Sequence, residues 1–157
     1  MLLGNLLLAL AWTALQGDFS LANLVTGHVL GYLILLSLVK GGILTTSPYI
    51  GRAHQAAALA AFFVWELLRA NLRLALDVAT PRYQMKPGIV AVPLDVTRDA
   101  EILLLAMLIN LTPGSVALDV SDDRRVMYVH VMYIDSPDAA RSEIKHGFER
   151  RVRQLLG

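Results

Sequence analysis

Residues Leu21–Val39 form the stretch LANLVTGHVLGYLILLSLV, which contains no charged side chain. As an α-helix it would be ~28 Å long, close to the ~30 Å thickness of the hydrocarbon core of a bilayer. Lys40 follows it, and then Gly41 and Gly42, so a cation lies in the last turn and two glycines end the helix. The stretch therefore predicts a membrane helix over about residues 21–39.

A shorter apolar segment, Leu2–Leu15, precedes this stretch. It predicts a helix over about residues 2–16 of ~22 Å, which is shorter than the hydrocarbon core. Gly17–Ser20 breaks the helix and offers Asp18 or Ser20 as a cap for the next one. The segment lacks the basic start of a signal peptide, so we expect a retained anchor that forms a helical hairpin in the membrane.

Composition separates a membrane part from a water-exposed part. The chain has 157 residues, of which 55% are hydrophobic and 17% charged, with a mean hydropathy of +0.53, whereas soluble domains average about 25% charged residues. Residues 1–51 contain only two charged residues, Asp18 and Lys40. We predict a transmembrane helical region over residues 1–84 and a small α+β domain over residues 85–157. The net charge of +1 gives no electrostatic footprint for binding nucleic acid.

A third helix is predicted over about residues 53–78. Its first half is apolar, whereas its second half carries Glu66, Arg69, Arg73 and Asp77 at spacings that place all four on one face. Ionisable groups at membrane depth mark ion or proton paths by default. We favour the alternative that the helix has reached the headgroups, where these charges pair with one another or contact partner subunits. Whether Glu66 touches an ion path stays open.

The distribution of basic residues predicts the orientation of the chain. More of them flank the end of the third helix than its start: Arg69, Arg73, Arg82 and Lys86 against Lys40 and Arg52. Because loops rich in Lys and Arg stay in the cytoplasm, the C-terminal domain is expected to be cytoplasmic. Three full crossings would then place the N-terminus outside.

Small residues in two of the predicted helices favour close helix packing. Gly27 and Gly31 form a GxxxG motif, and Ala57 and Ala61 repeat its spacing. Such residues let helices approach closely where lipid gives no hydrophobic drive for association. His28, inside the first motif, would titrate near neutral pH and serve as a proton relay. Packing in a helix interface is the interpretation that we favour for it.

The sequence of residues 85–157 predicts elements in the order βαββα. The predicted elements are a strand at Ile89–Leu94, a helix capped by Thr97 that ends near Asn110, strands at Ser115–Val120 and Arg125–Ile134, and a helix that starts at Ser136 and Pro137. The strand–helix–strand unit is expected to hold parallel strands in a right-handed crossover, followed by an antiparallel hairpin. Residues 102–109 are all apolar. One face of that helix should therefore cover the sheet, and the other should meet membrane or a partner.

The sequence offers no set of residues typical of an enzyme or a metal site. Ser115, Asp119 and His130 contain the side chains of a hydrolase triad, but the G-x-S-x-G motif is missing and strand alternation explains all three. The four histidines lack the spacing of metal ligands, and the chain has no cysteine. We predict neither an enzyme nor a cofactor or metal site.

Six segments, spread in order over essentially the whole chain, resemble the MrpE/MnhE family, the E-type subunits of the multi-subunit Na⁺/H⁺ antiporters (the Mrp/Mnh group). They are Gly17–Leu24, Trp65–Asn71, Pro87–Leu94, Leu111–Ser115, Tyr128–Val131 and Ile144–Glu149. The resemblance implies membership of a bacterial plasma-membrane complex that exchanges cytoplasmic Na⁺ for external H⁺. It further implies an accessory role, with ion translocation carried by the large subunits, and it supplies no catalytic residue to this chain.

Two hypotheses follow from the residues and the resemblance together. The first is an accessory, assembly-type antiporter subunit whose partners are the other subunits and the lipid bilayer. The second is a membrane-tethered sensor or ligand-binding module, in which the βαββα domain holds a ligand and the helices only anchor it. They differ in what should accompany the protein out of the membrane: other subunits, or nothing.

Overall fold

A computed structural model describes residues 1–44, 48–80 and 85–157 of the chain. The chain divides into two compact units, Met1–His54 and Gln55–Gly157, and each is described by itself. The predicted boundary between the transmembrane region, residues 1–84, and the water-exposed domain, residues 85–157, stays a prediction. Arg82, which entered the charge argument above, lies outside the described residues.

The first unit is a hairpin of two helices, α1 (Leu2–Gln16) and α2 (Leu21–Lys40). Helix α1 ends at Gly17, which adopts the left-handed conformation at φ 67° and donates its backbone N–H to the carbonyl of Ala14; only glycine enters this region without steric cost. Helix α2 begins after Ser20, whose hydroxyl accepts a hydrogen bond from the backbone N–H of Asn23. Local cap chemistry therefore sets the turn of the hairpin.

Among the described residues, α2 is the only helix long and apolar enough to cross a membrane by length and composition. Helix α1 is also apolar, but its 15 residues are fewer than the roughly 20 that a membrane-spanning helix needs. Helix α3 spans Pro48–Ala79 and has 32 residues. It begins at Pro48 rather than at residue 53, because proline is tolerated in the first turn of a helix, where its missing N–H has no partner to lose.

The second unit contains the C-terminal part of α3 and the α/β domain. The domain consists of β1 (Gly88–Pro93), α4 (Asp99–Leu111), β2 (Ser115–Val120), β3 (Val126–Val131), α5 (Pro137–Ile144) and α6 (Arg150–Leu156), with a π-helical turn, Lys145–Glu149, between the last two helices. This order matches the predicted βαββα pattern. The π turn makes α5 and α6 one interrupted helix where the sequence predicted a regular one.

The three strands form an antiparallel sheet in the order β1-β3-β2. Val90 pairs with Val129 across one side of β3, and Ala117 pairs with Val129 across the other. Strands β1 and β2 thus run in the same direction, as expected for the strand–helix–strand unit, and β3 lies between them as the antiparallel partner of both. Pro93 ends β1, an edge strand, where a missing ladder N–H costs little.

One face of the sheet builds the hydrophobic core. Val90, Val92, Met127 and Val129 point into it and are fully or almost fully buried. Helix α4 and the α5–α6 helix cover this face through Ile102, Leu105, Ile109, Ile144, Phe148 and Val152, and helix α3 adds Leu59. The apolar residues of the last helix therefore face the core.

Side chains that cap helix ends differ in one place from the sequence prediction. Ser136 caps α5 as predicted, since its hydroxyl accepts from the backbone N–H of Ala139 at 3.1 Å. Thr97, predicted to cap α4, does not: the first helical residue is Asp99, and the buried Glu101 carboxylate accepts from the N–H groups of Thr97 and Arg98 at 3.2 and 3.1 Å. The helix therefore begins after Arg98, and the Glu101 carboxylate satisfies the two N–H groups in front of it.

A buried carboxylate fixes the chain after β1. Glu149, 2% exposed, accepts hydrogen bonds at Oε1 from the backbone N–H groups of Asp95 and Val96, at 2.5 and 3.1 Å. Its Oε2 lies 3.2 Å from Lys145 Nζ, which also donates to the carbonyl of Pro93. The π turn brings Lys145 and Glu149 to the end of the edge strand and satisfies groups that would otherwise be buried without partners.

Candidate functional site

The α3–domain pocket is a cleft of about 120 Å³ within the second unit. Three groups of residues line it. Helix α3 supplies Phe62, Glu66, Arg69, Ala70 and Arg73; the α4–β2 turn and the end of β3 supply Ile109, Thr112–Ser115, Val131 and Tyr133; the α5–π segment supplies Ala140, Glu143, Ile144 and Phe148. Three of the four predicted stripe residues therefore line one pocket and face the chain's own domain.

Arg69 joins the two carboxylates of the pocket. Its guanidinium lies 3.6 Å from Glu66 on the same helix and 3.4 Å from Glu143 on α5. The Glu66 side chain is 16% exposed, whereas those of Arg69 and Glu143 are 58% and 66% exposed. Exposed ion pairs of this length are each worth at most about 1 kcal/mol. The main effect of these ion pairs is to balance the charge of the pocket, and they contribute little to the stability of the fold.

Arg73 and Asp77 meet Tyr133, which follows β3. The Arg73 guanidinium lies 4.8 Å from the centroid of the Tyr133 ring, a cation–π distance. Asp77, one turn further along α3, is 6% exposed. The nearby Asp77 carboxylate raises the pKa of the Tyr133 hydroxyl, because the phenolate would face a second negative charge. This corner of the pocket ties the end of α3 to the sheet.

Aromatic packing stabilises the contact between the middle of α3 and the domain. The rings of Phe62 and Phe148 meet edge to face with centroids 5.2 Å apart. Gly147 in the π turn leaves room for Phe62, since a Cβ there would lie 3.2 Å from Phe62 Cζ. The Arg151 guanidinium lies 3.7 Å from the centroid of the Phe62 ring and donates to the carbonyls of Gly147 and His146. Apolar and cation–π contacts, rather than ion pairs, dominate the anchoring of α3.

The sequence placed the four charges on one face but did not name what that face meets. Glu143 and Tyr133 were missed, because no local pattern connects them to a helix some 60 residues earlier. Phe62 could have been predicted from the helical period, since it lies four residues before Glu66 on the same face. Contacts of these charges with partner subunits stay a prediction.

The predicted helix-packing residues fall into two groups. Gly27 and Gly31 face α1: a Cβ at Gly27 would lie 2.9 Å from the carbonyl oxygen of Ala9, and a Cβ at Gly31 would collide with the Asn5 side chain. Ala57 and Ala61, by contrast, are exposed. His28 lies in the hairpin, with Nε2 3.3 Å from Asn5 Nδ2. The glycine pair thus works inside the chain, and the alanine pair leaves a small-residue surface uncovered.

Chemical groups for catalysis or metal binding are not brought together in the described part of the chain. Among its residues, no cluster of three or more His, Asp or Glu side chains has the geometry to hold a metal ion. Ser115 donates its hydroxyl to the carbonyls of Ile109 and Thr112, while His130 and Asp119 lie on the sheet. The Ser115 hydroxyl thus closes the α4–β2 turn.

Comparison with known proteins gives matches over nearly the whole chain. A family model described as Na⁺/H⁺ ion antiporter subunit matches residues 5–155. The E-type Na(+)/H(+) antiporter subunit of Bacillus subtilis is 34% identical over 151 residues, which cover 96% of this chain and 94% of the relative. The corresponding E-type protein from Alkalihalophilus pseudofirmus is 33% identical with the same coverage.

Solved structures show the same fold. A chain of the membrane-bound sulfane sulfur reductase, an archaeal respiratory membrane complex, superimposes with a TM-score of 0.59 and 26% identity, covering 99% of this chain and 98% of that one. A chain of the Mrp complex from Dietzia sp. DQ12-45-1b gives a TM-score of 0.50 at 24% identity, covering 65% of this chain and 96% of that one. At this identity the second likeness concerns the fold alone.

Proposed function

The chain belongs to the MnhE family of Na⁺/H⁺ antiporter subunits, and on that premise we propose that it is an accessory subunit of a multi-subunit Na⁺/H⁺ antiporter in a bacterial plasma membrane. In this role it supports assembly and stability of the complex, while the large subunits translocate the ions. Its partners are the other subunits and the lipid bilayer. The α1–α2 hairpin anchors it in the membrane, and the α/β domain lies in the cytoplasm.

The observation that carries the accessory role is that the α3 charges meet a domain of the same chain. Glu66, whose side chain is 16% exposed, pairs with Arg69, and Arg69 also pairs with Glu143 on α5. A group that relays protons must exchange them with a donor and an acceptor along a path. In the pocket Glu66 is paired with Arg69, which also pairs with Glu143, so we assign Glu66 to folding of the protein.

Helix α4 supports a role in assembly. Its inner residues are buried in the core, whereas Leu103, Met107 and Leu111 are exposed on the opposite side. Apolar residues at such spacing form a continuous stripe on one helix face. A contiguous apolar surface of this kind marks a contact with other proteins or with lipid.

The sensor hypothesis receives less support. Pockets that enclose small-molecule ligands typically measure about 300–1,000 Å³, whereas the α3–domain pocket measures about 120 Å³. The carboxylates of the pocket are already shared with Arg69.

Co-purification tests membership of the complex. The chain should be tagged, extracted from its own membrane in mild detergent, and its companions identified by mass spectrometry. Recovery of the other antiporter subunits is expected. Recovery of the chain alone, at monomer or homodimer size, would contradict the proposal.

Two substitutions test the accessory role within that complex. Glu66→Gln should leave Na⁺/H⁺ exchange in everted vesicles and its pH profile unchanged, because no proton passes through this group. Leu103→Glu should reduce recovery of the intact complex, whereas Ala100→Glu, on an exposed position one turn earlier in α4, should not. A Glu66→Gln complex that assembles normally but no longer exchanges ions would place Glu66 in the ion path.

A further inference from the structure

Helix α3 is covered along one face by the α/β domain of its own unit. The contact begins at Leu59, which is part of the domain core, continues through Phe62, Glu66 and Arg73, and ends at Asp77. These residues span ~27 Å of helix at 1.5 Å per residue. The domain thus accompanies α3 over most of its length.

A second face of α3 is apolar and exposed. Its large side chains are each more than half exposed, at spacings of one, three and four residues: Val64, Trp65, Leu68, Leu72 and Leu76. At 100° per residue they form one stripe, in which Val64 and Leu68 lie farthest from the pocket residues and Trp65 and Leu76 border Arg69. The helix is therefore amphipathic, and its polar face borders a domain of the same chain.

The geometry points to a helix that lies along the membrane surface instead of crossing it, with this apolar face on lipid and the domain on the water side. The inference rests on the proposed membrane residence of the chain and goes beyond it. In a crossing orientation the attached domain would have to enter the hydrocarbon core together with α3. Charged side chains next to the helix, among them Glu143 and Arg151, would lose their water.

The free part of α3 is too short to cross by itself. Residues 48–58, which precede the domain contact, span ~16 Å as a helix, about half of the ~30 Å hydrocarbon core. Helices with one apolar and one polar face lie in the interface plane instead, and tryptophan prefers the level of the headgroups. Trp65 lies on the apolar face at the border with Arg69, is 64% exposed, and fits that depth.

The short connection between α2 and α3 indicates that this apolar face contacts lipid. Helix α2, the candidate membrane span, ends at Lys40, and α3 begins at Pro48. The seven residues between them reach at most ~25 Å even when fully extended. Helix α3 must therefore begin close to the membrane surface at which α2 emerges.

The distribution of charge agrees with this topology. Every lysine and arginine of the chain lies at or after Lys40, whereas the turn between α1 and α2 carries only Asp18. If α3 does not cross, all the basic residues are on one side of the membrane, which satisfies the tendency of Lys and Arg to stay inside. With three crossings, Lys40 and Arg52 would have to be outside.

Single-cysteine labelling decides between these topologies, because the chain contains no native cysteine. Three exposed positions are suitable: Phe19 between α1 and α2, Ile43 after α2, and Ala139 in the domain. With a membrane-impermeant maleimide on the complex in intact cells and in inside-out vesicles, Ile43→Cys and Ala139→Cys should react from the same side and Phe19→Cys from the other. If Phe19→Cys and Ala139→Cys share a side and Ile43→Cys does not, α3 crosses the membrane and the inference is wrong.

Fluorescence quenching tests whether the apolar face of α3 contacts lipid and at what depth. The chain has two tryptophans, so Trp12→Phe leaves Trp65 as the sole emitter. In phosphatidylethanolamine–phosphatidylglycerol vesicles, lipids brominated near the headgroup should quench Trp65 more strongly than lipids brominated near the chain ends. Stronger quenching from the chain ends would show a deeply inserted helix, and no quenching by either would show that this face does not meet lipid; each result overturns the inference. Neither result bears on co-purification, so failure here is distinct from failure of the proposed function.

Discussion

Replacing Phe62 by alanine should release α3 from the α/β domain. The ring packs edge to face on Phe148, fills the space above Gly147, and lies 3.7 Å under the Arg151 guanidinium. A fully buried Phe→Ala change costs about 3–5 kcal/mol. Phe62 is half-buried, so we expect about 2–3 kcal/mol, including the aromatic and cation–π contributions of about 0.5–1.5 kcal/mol each.

Trypsin offers a direct assay of this release. Arg69 and Arg73 lie within α3, where cleavage requires the helix to detach and unfold locally. When opening is fast compared with cleavage, the rate follows the population of the open state. A loss of about 2–3 kcal/mol should therefore speed cleavage after these arginines by about 30- to 140-fold.

Leu76→Ala is the matched control, because Leu76 is an apolar residue of the same helix that points away from the domain. It should change the cleavage rate by less than about threefold, as exposed substitutions usually alter stability by less than about 0.5 kcal/mol. Equal cleavage of the Phe62→Ala variant and the wild-type chain would refute the view that this ring anchors α3.

Three further predictions concern other parts of the chain. Glu149→Ala should lower the free energy of unfolding in detergent by about 2–4 kcal/mol, since it leaves the backbone N–H groups of Asp95 and Val96 without their acceptor; Glu149→Gln, which keeps an acceptor, should cost less, and equal losses would contradict the assignment. Because Asp77 raises the pKa of Tyr133 above 10.0, this interaction stabilises the fold fully below about pH 10 and is lost as the pH rises through the folded-state pKa. Asp77→Asn should lower the midpoint of the tyrosinate absorbance that Tyr133→Phe removes, and an unchanged midpoint would speak against the contact. Gly27→Leu should destabilise the hairpin by about 1–3 kcal/mol in thermal unfolding, whereas Gly4→Leu, where nothing lies within 4 Å of the added Cβ, should have little effect.

The elements predictable from the sequence are those fixed by local chemistry. Gly17 ends α1 and Ser136 starts α5, because their conformations and hydrogen bonds involve only residues nearby in the chain. The strands followed from β-branched runs between turn residues. Thr97 shows the limit of this approach: its own N–H and that of Arg98 donate to the buried Glu101 carboxylate, and only the packed structure shows that the helix begins after Arg98 instead of after Thr97.

The arrangement of those elements depended on contacts that no local pattern contains. A short turn places β3 beside β2, but it does not determine which strand takes the free edge of β3. The partners of the α3 charges are equally distant in sequence, since Arg69 meets Glu143 across 74 residues. The helical period predicted that the four charges share one face, and it could not predict that a domain of the same chain covers that face.

The same packing explains why an acidic and basic stripe occurs on a helix next to the membrane. Ionisable side chains that faced hydrocarbon would be expensive, and side chains that faced only headgroup water would contribute little to structure. Here the stripe meets Glu143 and Tyr133, so its charges are balanced and partly withdrawn from water by the domain. The apolar residues of α3 remain exposed for the proposed contact with lipid, and those of α4, among them Leu103 and Met107, remain exposed for the proposed contact with another subunit. An accessory protein that joins a membrane complex needs both surfaces, and the fold separates them by turning its charged helix face inward.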